Sequence, residues 1–104
     1  MEFELDLLEK QDQKTLKNIS AAQLGSCVIS EAIRRSNSKS EDIDEIIMGQ
    51  VLTGGTGQNP ARQASVNAGI PVSKPAHIVN QVCGSGLRAV ISGYQSIKLG
   101  EATN

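Results

Sequence analysis

Two short runs of largely β-branched apolar residues, Ile46-Ile47-Met48-Gly49-Gln50-Val51-Leu52 and Ala76 to Val82, stand between stretches of helical periodicity. This alternation constrains the fold more than any other feature. Each run is too short for a helix of ordinary length and lacks strict polar alternation, so both are expected as strands covered on both faces. Strands of that kind separated by helices belong to a parallel sheet with crossover connections, the α/β class.

The helical stretches carry their own end signals. Ser20 and Gln23 form a capping-box pattern, and Ala21, Leu24, Val28 and Ala32 follow at helical spacing, which predicts a helix over about 21–35 with Arg34 and Arg35 in its last turn and Asn37 as its stop. Asn59-Pro60 reads as an N-cap with proline at the first helical position, opening a short helix that Gly69 closes. Leu87, Val90, Ile91, Tyr94 and Ile97 make one apolar stripe on a third helix, ended by Gly100. Residues 1–19 match neither period and are expected as a weak helix or a loose arm, and no internal repeat or linker divides the rest.

Composition removes several functions. Ten Lys and Arg against eleven Asp and Glu leave a net charge of −1, and with one Phe, one Tyr and no Trp there is neither a basic face for phosphates nor an aromatic platform for bases. No nucleic-acid partner is expected. No apolar stretch approaches the ~20 residues that span a bilayer, and the acidic opening Met1-Glu2-Phe3-Glu4 is the wrong sign for a signal peptide, so no membrane partner and a cytoplasmic location are expected. The acidic group Glu41, Asp42, Asp44 and Glu45 has no His or Cys beside it and reads as a solvated turn, so no metal is expected. Gly54-Gly55-Thr56-Gly57 lacks the Gly-Lys-Ser/Thr that would make it a phosphate cradle. Cys27 and Cys83 are far apart in sequence and form no CxxC pair; Cys27 is expected in the core of the first helix.

Cys83 is placed differently. It lies in Asn80-Gln81-Val82-Cys83-Gly84-Ser85-Gly86-Leu87, where a strand turns directly into an amphipathic helix. A helix N-terminus carries partial positive charge and free N–H groups, which favour a thiolate, and Gly84 and Gly86 allow a tight turn and close approach of a substrate. A nucleophile elbow is one reading of this segment. A buried, inert small residue beside two packing glycines is the other.

Three segments together resemble the thiolase family, and within it the acetyl-CoA acetyltransferases: Ile47-Met48-Gly49-Gln50-Val51-Leu52, Gly57-Gln58-Asn59-Pro60-Ala61-Arg62-Gln63-Ala64, and Asn80 through Val90. The resemblance runs in order from about Ala21 to Gly100. It implies a partial thiolase-like fold, a fragment of the N-terminal βαβαβ half, with residues 1–19 as a divergent arm and 20–104 as a partial N-terminal domain. It implies acyl-CoA as substrate with no bound cofactor, Cys83 as the acyl acceptor, and Gly84, Ser85, Gly86, Asn59 and Arg62 in supporting positions. The family's reaction joins two acyl-CoA molecules through an acyl-enzyme, or cleaves a 3-ketoacyl-CoA in reverse.

The family's opening hydrophobic strand has no counterpart in residues 1–19, and the motifs carrying its activating histidine and second catalytic cysteine have none in these 104 residues. The one histidine, His77, sits six residues before Cys83, about 20 Å away along an extended strand, and reads as a strand or loop residue. The chain alone is therefore expected to be inactive and marginally stable. The alternatives to a truncated enzyme are an interaction module that pairs with a thiolase subunit or a complementary C-terminal half, and a decayed gene product.

Overall fold

A computed structural model describes residues 16–104 of the chain. Helix α1 spans Ala21–Arg35, strand β1 Ile46–Gly49, helix α2 Pro60–Asn67, strand β2 Ala76–Val79 and helix α3 Ser85–Lys98, with a single 3-10 turn at Ser40–Asp42 before β1. The two strands pair in parallel, Ile46 beside Ala76 and Gly49 beside Val79. This is the α/β arrangement expected. The expected arm lies mostly in residues 1–15, outside the described residues.

The helix ends follow the local chemistry of the sequence. Ser20 Oγ accepts the Gln23 N–H at 3.1 Å while Gln23 Oε1 accepts the Ser20 N–H at 2.8 Å, a complete capping box for α1. Asn59 caps α2, its Oδ1 accepting the Arg62 N–H at 3.1 Å, and Pro60 follows at the first position. Asn37, Gly69 and Gly100 all take positive φ just past the three helices, which lets the chain fold back onto the last carbonyls.

The buried face of α1 differs from the expected stripe by one residue. Ala22, Gly25 and Ile29 are buried, whereas Ala21, Leu24, Val28 and Ala32 are exposed. Packing decides this: a Cβ placed on Gly25 would stand 3.0 Å from the Ala64 Cβ, so the small residues of α1 lie directly against α2. Cys27 consequently faces outward and is exposed, not in the core. The core proper is Ile29, Ala64 and Ile70, with Ile33, Ile43, Ile46 and Met48 packed on it.

Both strands are also shorter and less covered than the sequence suggests. No residue of β1 or β2 is fully buried. The ladder continues one bond past β1, from Gln50 N–H to the Val79 carbonyl at 3.1 Å, and stops because the chain turns away at Asn80. Val51 and Leu52 therefore lie exposed beyond it. The apolar stripe of α3 forms as a helix but stays uncovered: Leu87, Val90, Tyr94 and Ile97 are all more than half exposed.

Candidate functional site

The chain leaves β2 at Val79 and enters α3 at Ser85, and the five residues between make one tight turn. Asn80 Oδ1 accepts the Val82 N–H at 2.9 Å, a local side-chain turn of the kind Asn favours. Gly84 N–H donates to the Gln81 carbonyl at 2.9 Å and Ser85 N–H to the Val82 carbonyl at 3.2 Å. The Ser85 hydroxyl bridges the turn from beneath. It accepts the Gln81 N–H at 2.8 Å and donates to the Val82 carbonyl at 2.7 Å, and Ser85 is only 5% exposed. Val82 takes φ +49°, a left-handed conformation that costs a β-branched residue free energy.

Cys83 follows Val82 and is exposed, so it is not the buried residue of the second reading. Gly84 is the cap of α3, with no side-chain hydrogen bond of its own, and no atom stands within 4 Å of where a Cβ on Gly86 would be. The thiol thus sits on the solvent side of a strand-to-helix junction, with open space at the second residue of the helix. Arg88 Nε donates to Gln81 Oε1 at 2.7 Å and ties the first full turn of α3 back to the strand end.

Two residues that fix this site went unread in the sequence. Gly49 ends β1, and a Cβ there would stand 2.6 Å from the Ser85 carbonyl carbon and 2.7 Å from the Gly86 nitrogen. Its signal was a glycine inside an apolar strand run, which marks close backbone approach. Asn80 is the other, and its signal was an amide side chain two residues before the turn's positive-φ position.

The other expected site residues sit elsewhere. Asn59 Nδ2 donates to the Ala76 carbonyl at 2.9 Å, and the Arg62 guanidinium donates to the carbonyls of Lys74, at 2.7 Å, and of Val72. Both side chains hold the loop that delivers β2, and no hydrogen bond joins them to Cys83. His77 Nδ1 lies 3.4 Å from Glu45 Oε1. Among the described residues, no three His, Cys, Asp or Glu side chains gather as a metal would require, and no helix is long and apolar enough to cross a membrane.

Fold and turn together define an α/β protein that presents a cysteine at the junction of a parallel strand and the next helix. The chain belongs to the thiolase family: the family model of the thiolase N-terminal domain matches residues 8–103. It is 56% identical over 88 residues to an acetyl-CoA acetyltransferase of Syntrophomonas wolfei and 51% identical to one of Cupriavidus necator, covering 85% of this chain and 22% of each of those proteins. A cytosolic acetyl-CoA acetyltransferase of Rattus norvegicus is 49% identical over the same share. Among solved structures, the Acat5 thiolase of Ascaris suum in complex with coenzyme A superposes with a TM-score of 0.81 at 46% identity, over 83% of this chain and 22% of that one. The chain therefore spans about a fifth of the length of the relatives it matches.

Proposed function

We propose that this chain supplies the acyl-accepting segment of an acetyl-CoA acetyltransferase-type thiolase, with Cys83 as the nucleophile and an acyl-CoA as the substrate. The observation that carries the reading is the exposed Cys83 on a hydrogen-bonded β2-to-α3 turn, in a chain about half identical to enzymes of that name. The Cys83 thiolate attacks the thioester carbonyl, a new sulfur–carbon bond forms, the bond to coenzyme A breaks, and the departing thiolate takes up a proton. The open side of Gly86 leaves room for the thioester. A cytosolic setting follows the name of the rat relative.

Carbon–carbon bond formation needs a base to take an α-proton and donors to hold the enolate. Within the 104 residues the single histidine has Glu45 as its partner, so the lone chain is proposed to capture an acyl group without turning it over. Incubation with labelled acetyl-CoA tests this: label retained on the chain and lost in Cys83→Ser is expected, with no acetoacetyl-CoA. Sustained acetoacetyl-CoA synthesis by this chain would contradict it.

A second reading is favoured by the uncovered stripe Leu87, Val90, Tyr94 and Ile97, together with an open groove of about 340 Å³ beside Leu24, Val28 and Met48. Apolar surface of this extent suits a chain that docks on a thiolase subunit or a complementary half. Co-purification with such a subunit, lost on Val90→Glu, supports the docking reading, and a chain that elutes alone in its presence counts against it.

A further inference from the structure

Ser85 has an unusual position for a helix N-terminal serine. It does not cap the helix it begins, since α3 has no side-chain cap bond. Its hydroxyl reaches backward, accepting the Gln81 N–H and donating to the Val82 carbonyl, and so ties both backbone groups that flank the φ +49° peptide unit before Cys83. Its side chain is buried, and its backbone lies against the end of β1, where only glycine at position 49 leaves room. Val82 itself is 66% exposed, so side-chain burial contributes little to holding it in a left-handed conformation. Alongside the two backbone bonds from Gly84 and Ser85, the side-chain hydrogen bonds of Asn80 and Ser85 hold this turn in place.

We propose that Ser85 is the positioning residue for Cys83: its hydroxyl holds Val82 in the left-handed conformation and thereby aims the Cys83 thiol outward at the head of α3. The inference rests on the reading of Cys83 as acyl acceptor, and the two can fail separately. Alkylation by iodoacetamide reads the turn, whereas labelling by acetyl-CoA reads acyl capture.

The experiment uses the full chain, with Cys83 and Cys27 labelling followed by peptide mass spectrometry. Cys27, exposed on α1, is an internal reference in every molecule. Ser85→Ala is expected to slow iodoacetamide labelling of Cys83 about tenfold relative to Cys27, the size set by releasing one strained residue. Placed in a Val82→Gly background, where positive φ is no longer disfavoured, the same Ser85→Ala change should cost less than about twofold. An equal loss in both backgrounds, or no loss in either, overturns the proposal. So does wild-type chain whose two cysteines react alike at the rate of denatured chain. Should Ser85→Ala unfold the protein, recovery of its circular dichroism by Val82→Gly supports the proposal, and continued unfolding overturns it because the hydroxyl then does more than hold Val82. Wild type that shows the Ser85 effect with iodoacetamide but takes no label from acetyl-CoA removes the acyl-capture reading and leaves the positioning role standing.

Discussion

Gly49 shows how one absent methyl group sets the site. The backbone of Ser85 and Gly86 occupies the space a Cβ at Gly49 would need, with contacts of 2.6 to 2.8 Å to backbone atoms that cannot step aside. Gly49→Ala is expected to lower stability by about 2 kcal/mol, the cost of overpacking a rigid contact, and to slow Cys83 labelling because α3 must move. Gly54→Ala, with nothing within 4 Å, should stay within about 0.5 kcal/mol. Urea midpoints of the two variants check the pair. At this scale the sequence was legible where a side chain acts on backbone two or three residues away, as with the caps Ser20 and Asn59. It was not legible at Val82, whose positive φ depends on the hydroxyl of Ser85 and on the amide of Asn80. The outward turn of Cys27 was hidden for a related reason: which side of α1 is buried depends on what α2 offers it.

Among the elements, helix boundaries came through because caps and stops are local, and the helix expected over about 21–35 spans Ala21–Arg35. Helix facing did not, since Leu24 and Val28 are more apolar than Ala22 and Gly25 yet lose the interface to them. Close approach of two helices rewards small residues over large ones when the facing position is Ala64. Strand lengths were overread for a different reason: apolar Val51, Leu52 and Val82 lie beyond the point where each strand has a neighbour. Arg62 links elements that the sequence kept apart, its guanidinium on helix α2 reaching two carbonyls of the loop before β2. Lysine cannot reproduce that fork, so Arg62→Lys is expected to cost about 1 to 2 kcal/mol and to raise hydrogen exchange in residues 72–76. Unchanged exchange there would show that the loop is held by Asn59 alone.

Across the whole molecule, the end of the described chain is tied to the approach to β1. Asp44 Oδ2 accepts the Thr103 N–H at 2.8 Å, the Thr103 hydroxyl at 2.9 Å and the Asn104 N–H at 3.2 Å, while Lys74 Nζ lies 3.5 Å from Oδ1. These bonds, those of Thr103 foremost, lower the Asp44 carboxyl from 3.8 to about 2. A depressed carboxylate contributes stability above its unfolded value and loses it as pH falls through its folded one, so the contribution is complete above about pH 4 and fades toward 2. Asp44→Asn should therefore be less stable than wild type at neutral pH and show a flatter acid limb over that window. Glu31, held at about 2 by Arg34 and then Arg35, leaves a remaining slope in both proteins. Urea midpoints against pH measure the difference, and parallel acid limbs would remove Asp44 from the account.

The same scale holds the apolar surface that this fold leaves open. A parallel two-stranded sheet with half-covered strands, a bare α3 stripe and a groove beside α1 form a unit whose relatives are several times longer. The site turn is nonetheless tied together by Asn80 and Ser85 against Gly49, and the acyl-acceptor role proposed for Cys83 rests on that turn. Peptide mapping of the chain after exposure to acetyl-CoA tests it most directly. The account predicts a thioester-linked acetyl group on the peptide carrying Cys83 and none on the peptide carrying Cys27; an unlabelled Cys83, or equal labelling of the two cysteines, would contradict it.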